Sequence, residues 1–440
     1  MSQYLNVTNL KKTYYYLKRN GIKNTVGAAL ERVQARYYAD YTYVCPTEEQ
    51  LNYQRNTVWK DFVTFSIVVP AYETKPQFLH QLIESLQAQT YPKWELILVD
   101  ASSTNQVKQE LKKYQDDRIW YLPLESNDGI SENTNAGIQA AIGDYIGLLD
   151  HDDYLTPDAL YEMAKAIQEA KEQNKEYGFL YSDEDKCDET GTKFYEPHFK
   201  LPFNLDLFLS NNYICHFLVM KRELMQQLAL RKEYDGAQDY DLCLRAVARL
   251  WNENPKVEQT ICHIPKVLYH WRCHNDSTAA NPQSKQYAYE AGRRALKDFT
   301  EKRGWKAEVE HMSHLGFYKI NYKDGVFSQR DDIVAIGKKL LKHGKITGGI
   351  YNEAGKPLYE GLPVYYSGYL HRAVLPQNAC QLDIDTWEIN PKYYDMIETF
   401  KHEIESKESM DKKKIQKELC EKIRTQGYRL YWNPIIYRHR

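Results

Sequence analysis

The chain lacks several features that would place it in a membrane or outside the cell. No apolar run approaches the ~20 residues of a membrane-spanning helix, and the first residues do not show the charged-then-apolar pattern of a secretory signal. Its eight cysteines are scattered and form no CxxC pair. This usage is typical of buried free thiols in a reducing compartment. We therefore expect a cytoplasmic protein.

The chain also has little net charge, -2 over 440 residues. Any strongly basic surface must therefore be local, and we expect no nucleic-acid partner. With 42% hydrophobic and 27% charged residues, the chain can bury a core and is not disordered as a whole. Its length suggests two or three domains.

Phenylalanine is scarce, at 13 residues against 37 tyrosines. A tyrosine ring can stack on a pyranose while its hydroxyl makes a hydrogen bond, so a tyrosine-rich surface suits sugar binding. A drift in composition explains the same count, and both interpretations stay open.

Alternating strands and helices begin at Phe65. Apolar runs that end in turn signals predict strands over 65–70, 94–100, 118–122 and 145–150. Helices are expected between them, over about 75–90, up to Tyr114 and over 130–142. This rhythm predicts a mostly parallel α/β sheet flanked by helices.

Three of these strands end in polar residues. The segments are Pro70-Ala71-Tyr72-Glu73, Asp100-Ala-Ser-Ser103 and Asp150-His151-Asp152-Asp153. In parallel sheets ligands bind beyond the carboxyl ends of the strands, so the polar chemistry is expected at one edge.

The run Asp150–Asp153 sets three carboxylates at one strand end, where they repel one another. A Mg²⁺ or Mn²⁺ ion relieves the repulsion, since such ions bind few carboxylates together with phosphate oxygens. The alternative is a helix cap, with Asp153 or Thr156 preceding the next helix.

Three further segments carry candidate groups. Asp239, in Gln238-Asp-Tyr-Asp241, is a candidate general base; alternatively both acids only favour a helix N-terminus. The segment 269–277 packs two histidines and an arginine, which suit a metal shell and a pyrophosphate or else a structural role. The acids of residues 182–186 have two possible roles: they face a bound sugar, or they lie in a solvated loop.

Together these segments resemble the family-2 inverting glycosyltransferases with the GT-A fold, over residues 65–280. The matching pieces, in the order and spacing of that family, are Ser66-Ile-Val-Val-Pro-Ala-Tyr72, Gln87-Ala-Gln-Thr-Tyr91, Trp94-Glu-Leu-Ile-Leu-Val-Asp100, Gly129-Ile-Ser-Glu-Asn-Thr-Asn-Ala-Gly137, Gly143-Asp-Tyr-Ile-Gly-Leu-Leu-Asp-His-Asp-Asp153 and Gln238-Asp-Tyr-Asp-Leu242. Within the family the chain is most similar to bacterial rhamnosyltransferase-like enzymes of surface polysaccharide assembly.

The resemblance implies a role for each matching position. It implies that Asp239 is the catalytic base and that Asp150 and Asp152 match the metal-binding acids, with Asp152 the direct ligand. His274 falls in the family's final donor-site segment, and as a histidine it is a candidate to complete the metal shell. The family often has Glu where this chain has Gln238, which removes one acid from the acceptor side. The donor contacts that it implies are Pro70, Ala71, Tyr72, Glu73, Asp100, Asn135, Asp150 and Arg272. Acceptor-side candidates are Asp183, Asp185, Gln238 and Trp271.

The function implied is transfer of a sugar from a UDP- or dTDP-sugar to a hydroxyl of a growing, lipid-linked bacterial polysaccharide, with inversion. The alternative is a non-catalytic relative that binds a nucleotide-sugar or glycan as a scaffold. Loss of the acid motif or of the base would favour it, and both are present. A dinucleotide-dependent oxidoreductase would need a GxGxxG loop after the first strand, which Pro70–Glu73 does not offer.

The sequence predicts three segments: a basic helical extension over 1–60, the GT-A domain over 61–300, and a small mixed, β-rich segment over 301–440 that ends in a basic helical tail. The stretch from Gly348 to Asp383 also resembles the middle of a second such domain without its donor half. Because both ends are basic and rich in apolar side chains, one or both are expected to dock on the inner face of the cell membrane. The alternative is packing on the protein with solvated lysines.

Overall fold

The computed structural model describes residues 7–35, 37–274, 286–406 and 411–439. Contacts divide the chain into two units. The sheet unit comprises Tyr38–Phe203 and Asn212–Phe299; the terminal unit comprises the residues before Tyr38, Asn204–Asn211 and the residues from Thr300 onward. The predicted boundaries after residues 60 and 300 stay a prediction.

The helices and strands are numbered in chain order. The helices are α1 Val7–Gln34, α2 Glu48–Arg55, α3 Pro76–Gln87, α4 Gln106–Leu111, α5 Ile130–Ala140, α6 Ala159–Glu172, α7 Leu205–Phe208, α8 Arg222–Leu228, α9 Gln238–Glu253, α10 Gln286–Lys302, α11 Tyr394–Glu405 and α12 Lys412–Thr425. The strands are β1 Phe65–Ala71, β2 Trp94–Asp100, β3 Ile119–Pro123, β4 Tyr145–Leu148, β5 Tyr154–Leu155, β6 Phe179–Cys187, β7 Phe194–His198, β8 Leu218–Lys221, β9 Ile261–Arg272, β10 Ala307–His311, β11 Tyr318–Tyr322, β12 Ile333–Lys342, β13 Lys345–Gly348, β14 Ile350–Tyr351, β15 Gln377–Asn378, β16 Gln381–Leu382, β17 Glu388–Ile389 and β18 Arg429–His439.

The sheet unit is built on one mixed sheet of nine described strands, in the order β3-β2-β1-β4-β8-β6-β9-β5, with β7 paired to β6. Strands β3, β2, β1 and β4 are parallel, as the sequence predicts. Strand β8 is antiparallel to both β4 and β6, and β9 is parallel to β6. The predicted α/β fold is therefore confirmed. The predicted parallel pairing holds for β3, β2, β1 and β4 and for β6 with β9, whereas the other four described strand pairs of this sheet are antiparallel.

Helices cover the parallel half closely. Every residue of β1 and β2 is buried, which explains their continuous apolar sequence. Helix α3 begins with a proline, whose missing N–H costs nothing there. Helix α5 approaches β1 and β2 at Gly137, where a Cβ atom would lie 2.6 Å from Val68 Cγ1 and 2.7 Å from Val99 Cγ2. Only glycine permits this separation.

The terminal unit has a sheet of its own, in the order β13-β12-β18-β15, with β17 paired to β12. Strands β12 and β18 are parallel. Helices α11 and α12 pack against this sheet and share its core with buried Leu430 and Trp432. No helix in the described ranges is long and apolar enough to span a bilayer.

The prediction of a helical tail is wrong for residues Arg429–His439. Helix α12 does form, but Arg429–His439 is strand β18. The run Leu430-Tyr431-Trp432 is rich in residues that favour strands, and pairing with β12 buries all three side chains. Burial between strands therefore decided the conformation.

Candidate functional site

The carboxyl ends of β1, β2 and β4 lie at one edge of the sheet. Ala71 pairs with Asp100, and Val68 pairs with Leu148. The three polar segments that follow these strands therefore leave the sheet side by side, because parallel neighbours end at a common edge.

The first two segments are joined by hydrogen bonds. The Glu73 carboxylate accepts bonds from Ser103 N at 3.0 Å and Oγ at 2.8 Å, and from Thr104 Oγ1 at 2.6 Å. These bonds from Thr104 and Ser103 lower the pKa of Glu73. Asp100 is buried and accepts 3.0 Å and 2.9 Å bonds from Ser102 N and Tyr121 Oη. Glu73 has a left-handed backbone with φ 49°, a conformation that such a network can hold at a binding site.

The first of these segments also carries an exposed ring. Tyr72 is half exposed, whereas Pro70 and Ala71 are buried within β1. An exposed ring beside fixed carboxylates can stack on a nucleotide base, while Pro70 and Ala71 contribute only backbone and shape.

Asp153 holds the acidic segment to strand β9. It is fully buried and accepts hydrogen bonds from Tyr269 Oη and from Arg272 N at 2.7 Å. Burial, with Asp152 and Asp150 nearby, raises the pKa of Asp153 well above its usual value. Helix α6 begins after Asp158, so Asp153 is not its cap. Its contacts hold the loop onto β9.

Asp150 and Asp152 are the acids that the loop leaves accessible. Asp152 Oδ2 lies 2.9 Å from His274 Nε2, so the predicted pair of Asp152 and His274 is brought together. Asp150 Oδ2 lies 3.8 Å from His216 Nε2. Partial loss of solvent raises the pKa of Asp150; His216 opposes the shift, and the charges of Asp152 and Asp239 add to it.

The carboxylates of Asp150 and Asp152 suit a divalent cation whose remaining ligands are supplied by a bound substrate. In the part of the chain that the structure describes, no three His, Cys, Asp or Glu side chains are placed to hold a metal by themselves. Mg²⁺ typically takes one or two carboxylates together with substrate phosphates, which is what Asp150 and Asp152 offer. The crowded acids favour added positive charge.

His216 is a component that the sequence did not reveal. Its ring stacks on Tyr269 at 4.9 Å, and its Nδ1 lies 3.3 Å from Glu184 Oε2. Although burial favours the neutral ring, the hydrogen bond to Glu184 and the charges of Glu184, Asp150 and Asp153 raise the pKa of His216 to about 9. The neighbouring carboxylates therefore favour the protonated form of the His216 ring beside Asp150.

The first turn of α9 carries two acids in different environments. Asp241 is buried and paired with Arg231 and with Arg245, so it is a structural anchor. Asp239 is partly exposed and accepts a 2.9 Å hydrogen bond from Asn212 Nδ2. Among the described residues it has no ion-pair partner within 4 Å, which leaves its second oxygen able to accept a proton.

The acids of β6 are paired with histidines. Asp183 Oδ1 lies 2.8 Å from His263 Nε2, and Asp185 Oδ1 lies 2.6 Å from His270 Nδ1. Both acids are buried. They hold β6 to β9 in this structure, and their acceptor role stays a prediction.

The remaining predicted residues are held by backbone groups. The Asn135 side chain makes two hydrogen bonds with the Leu230 backbone: it donates to the carbonyl at 2.9 Å and accepts from the N–H at 2.7 Å. Arg272 is fully buried and donates from Nε to Asp152 O at 2.6 Å, which positions the acidic loop. Gln238 Oε1 accepts the Gly236 N–H at 2.8 Å.

Trp271 is partly exposed, and its ring lies 5.9 Å from that of His216. Residues 275–277 of the predicted motif lie outside the described residues.

Comparison with known proteins identifies the family. Residues 66–229 match the family model described as "Glycosyl transferase family 2". The chain is 32% identical to the O-antigen biosynthesis protein RfbC of Myxococcus xanthus over 68% of this chain and 23% of that protein. It is 31% identical to the putative colanic acid biosynthesis glycosyl transferase WcaA of Escherichia coli over 45% of this chain and 72% of that protein.

The chain spans about a quarter of the length of the longer curated relatives that it matches. Among solved structures, Staphylococcus aureus TarS (residues 1–349, in complex with UDP-GlcNAc) superposes with a TM-score of 0.43 at 20% identity, covering 54% of this chain and 66% of that chain. The family model and the match that covers most of WcaA agree. The chain belongs to glycosyl transferase family 2.

Proposed function

We propose that the chain transfers a sugar from a nucleoside-diphosphate sugar to a carbohydrate hydroxyl, with inversion at the anomeric carbon. The observation that carries the proposal is that the sheet unit contains both the acids Asp150 and Asp152 and a further acid, Asp239, which has no ion-pair partner among the described residues. Asp239 is close enough for its charge to act on Asp150. A general base and a diphosphate-binding edge are the two parts that such a transfer needs.

Asp239 would act on the acceptor. Its carboxylate takes the proton of the acceptor hydroxyl as the hydroxyl oxygen attacks the anomeric carbon. The bond from that carbon to the diphosphate oxygen breaks in the same displacement, so the configuration inverts and no enzyme nucleophile is required. Asn212 holds one oxygen of Asp239 and so leaves the other for the proton.

The edge formed by β1, β2 and β4 would hold the donor. Tyr72, Glu73 and Asp100 are the residues that we propose to contact the base and ribose. When bound to Asp150 and Asp152, with His274 beside them, a Mg²⁺ or Mn²⁺ ion would neutralise the leaving diphosphate. The ring of His216, whose Nε2 lies 3.8 Å from Asp150 Oδ2, would add positive charge at the same place when it is protonated.

The acceptor is proposed from the relatives. RfbC is named for O-antigen biosynthesis and WcaA for colanic acid biosynthesis. We extend these names to a growing bacterial surface polysaccharide, carried on a lipid, as the acceptor of this chain. The sugar and the choice between UDP and dTDP are left to experiment.

The proposal is tested with a panel of UDP- and dTDP-sugars in the presence of Mn²⁺, of Mg²⁺ or of EDTA. We expect release of nucleoside diphosphate from one donor class, dependent on the cation, and NMR of the product should show the opposite anomeric configuration from the donor. Retention of configuration, or full activity in EDTA, would contradict the proposal. Tight nucleotide binding without turnover on any acceptor would favour the scaffold alternative.

A further inference from the structure

We propose that the part of α1 after Gly21 is a docking surface for an anionic lipid bilayer. Gly21 has non-helical angles, φ 76° and ψ 173°, and so separates this part from the first turns of α1. Beyond it, Ile22, Val26 and Val33 are 74%, 52% and 56% exposed. Their spacing of four and seven residues places them on one face of the helix, and Leu30 borders the same face.

The opposite face of α1 is held by a buried acid to other residues of the terminal unit. Glu31 is 7% exposed and accepts hydrogen bonds from Ser367 N, Ser367 Oγ and Gly368 N at 2.8, 2.9 and 2.7 Å. At about 100° per residue, Glu31 lies on the far side of the helix from Ile22 and Val33. The helix therefore turns its acid inward and its apolar row outward, the reverse of an ordinary surface helix.

Charge selects the partner. From Ile22 to Tyr38 the sequence has three basic residues, Lys23, Arg32 and Arg36, against Glu31 alone, and the Glu31 carboxylate accepts the three hydrogen bonds described above. An apolar row within a positive segment is complementary to an anionic bilayer. A second copy of the chain would bring two positive segments together, and their repulsion disfavours that partner.

The other basic end is less suited to the role. The aromatic run of β18 from Leu430 to Trp432 is buried in the core of the terminal unit. Among the described side chains of β18, the exposed apolar ones are Ile435, Ile436 and Tyr437. Of the two ends expected to dock, α1 therefore offers the longer continuous apolar row.

The test is co-sedimentation of the full chain with vesicles of phosphatidylcholine alone or mixed with phosphatidylglycerol, at low and high salt. We expect binding to the anionic vesicles, weakened by salt. The variant Ile22→Ser/Val26→Ser/Val33→Ser should bind at least about tenfold more weakly. A matched control, Val58→Ser/Ile142→Ser, removes apolar side chains that are 93% and 73% exposed in the sheet unit and should bind as the parent does.

Circular dichroism melting of each variant establishes that it is folded. The proposal is overturned if the parent chain does not bind anionic vesicles, or if the α1 variant binds them as well as the control does. It is also overturned if the parent forms a dimer that the α1 variant dissolves while neither binds vesicles, because the face then belongs to a second copy.

Discussion

The two units contain the same arrangement of a helix followed by a strand that runs parallel to an earlier strand. In the sheet unit, α9 leads to β9, which pairs with β6; in the terminal unit, α12 leads to β18, which pairs with β12. Each helix buries a Leu-Cys pair, Leu242-Cys243 in one and Leu419-Cys420 in the other.

The side chains at matching places differ. Three residues before its leucine, α9 has Asp239, whereas α12 has Gln416, whose Oε1 accepts the Ile384 N–H at 3.3 Å. Strand β6 carries acids, whereas the first half of β12 is apolar and buried. The shared backbone arrangement therefore does not determine activity by itself. Catalysis is expected only in the sheet unit, where Asp239 and the acids of β6 lie.

The largest effect is expected at the position that differs most. Asp239→Asn should keep nucleotide binding and lower transfer by roughly 10²–10⁴-fold, the usual contribution of a general base. Gln416→Ala, at the matching place in α12, should leave transfer unchanged. Rates for both variants are compared under saturating donor. Near-parental activity of Asp239→Asn would assign the base to another acid, with Asp183 and Asp185 the next to test.

A smaller effect is expected from the residue that orients the base. Asn212→Ala removes the donor to Asp239 Oδ2, so kcat should fall about tenfold, less than the loss expected for the base itself, because the Asp239 carboxylate remains. The KM for the donor should stay the same, because the side-chain hydrogen bond that Asn212 makes among the described residues goes to Asp239 and not to a proposed donor residue. A raised donor KM with unchanged kcat would show that the loop carrying Asn212 serves binding instead.

In the terminal unit a partly buried acid, Asp332, is expected to affect stability alone. Although partial burial opposes the shift, Arg330 and Arg429 hold the pKa of Asp332 far below its usual value. Asp332→Asn should lower the free energy of unfolding by about 2 kcal/mol, measured by urea denaturation at neutral pH. Transfer by the folded variant should match the parent.

The pH dependence of this contribution follows from the sign of the shift. A lowered pKa means that the stabilisation is complete above the ordinary carboxyl value of about 4 and is lost as the pH falls towards the lowered value. The difference between parent and variant should therefore shrink below about pH 4. An equal difference at acidic and neutral pH would contradict the ion-pair explanation.

Sequence reasoning succeeded where local patterns decide structure. The strands ending near Ala71, Asp100 and Leu148 were predictable from continuous apolar runs, because buried parallel strands need apolar side chains on both faces. The common edge of their polar ends followed from the same geometry.

Sequence reasoning failed where distant segments meet. His216 approaches Asp150 through pairing of β8 with β4, and Asn212 reaches Asp239 from a loop. Neither residue has a pattern of its own that marks it. The histidine partners of Asp183 and Asp185 come from β9, so only the register of β6 with β9 reveals them.

The central claim, that the acids of the sheet unit bind a nucleotide through a divalent cation, is tested most directly by calorimetry. UDP and dTDP are titrated into the chain with Mn²⁺, with Mg²⁺ and in EDTA, and into Asp152→Asn under the same conditions. We expect one nucleotide to bind in the presence of the cation, and we expect EDTA or the substitution to weaken binding at least about tenfold. Equal affinity with the cation and in EDTA would contradict it.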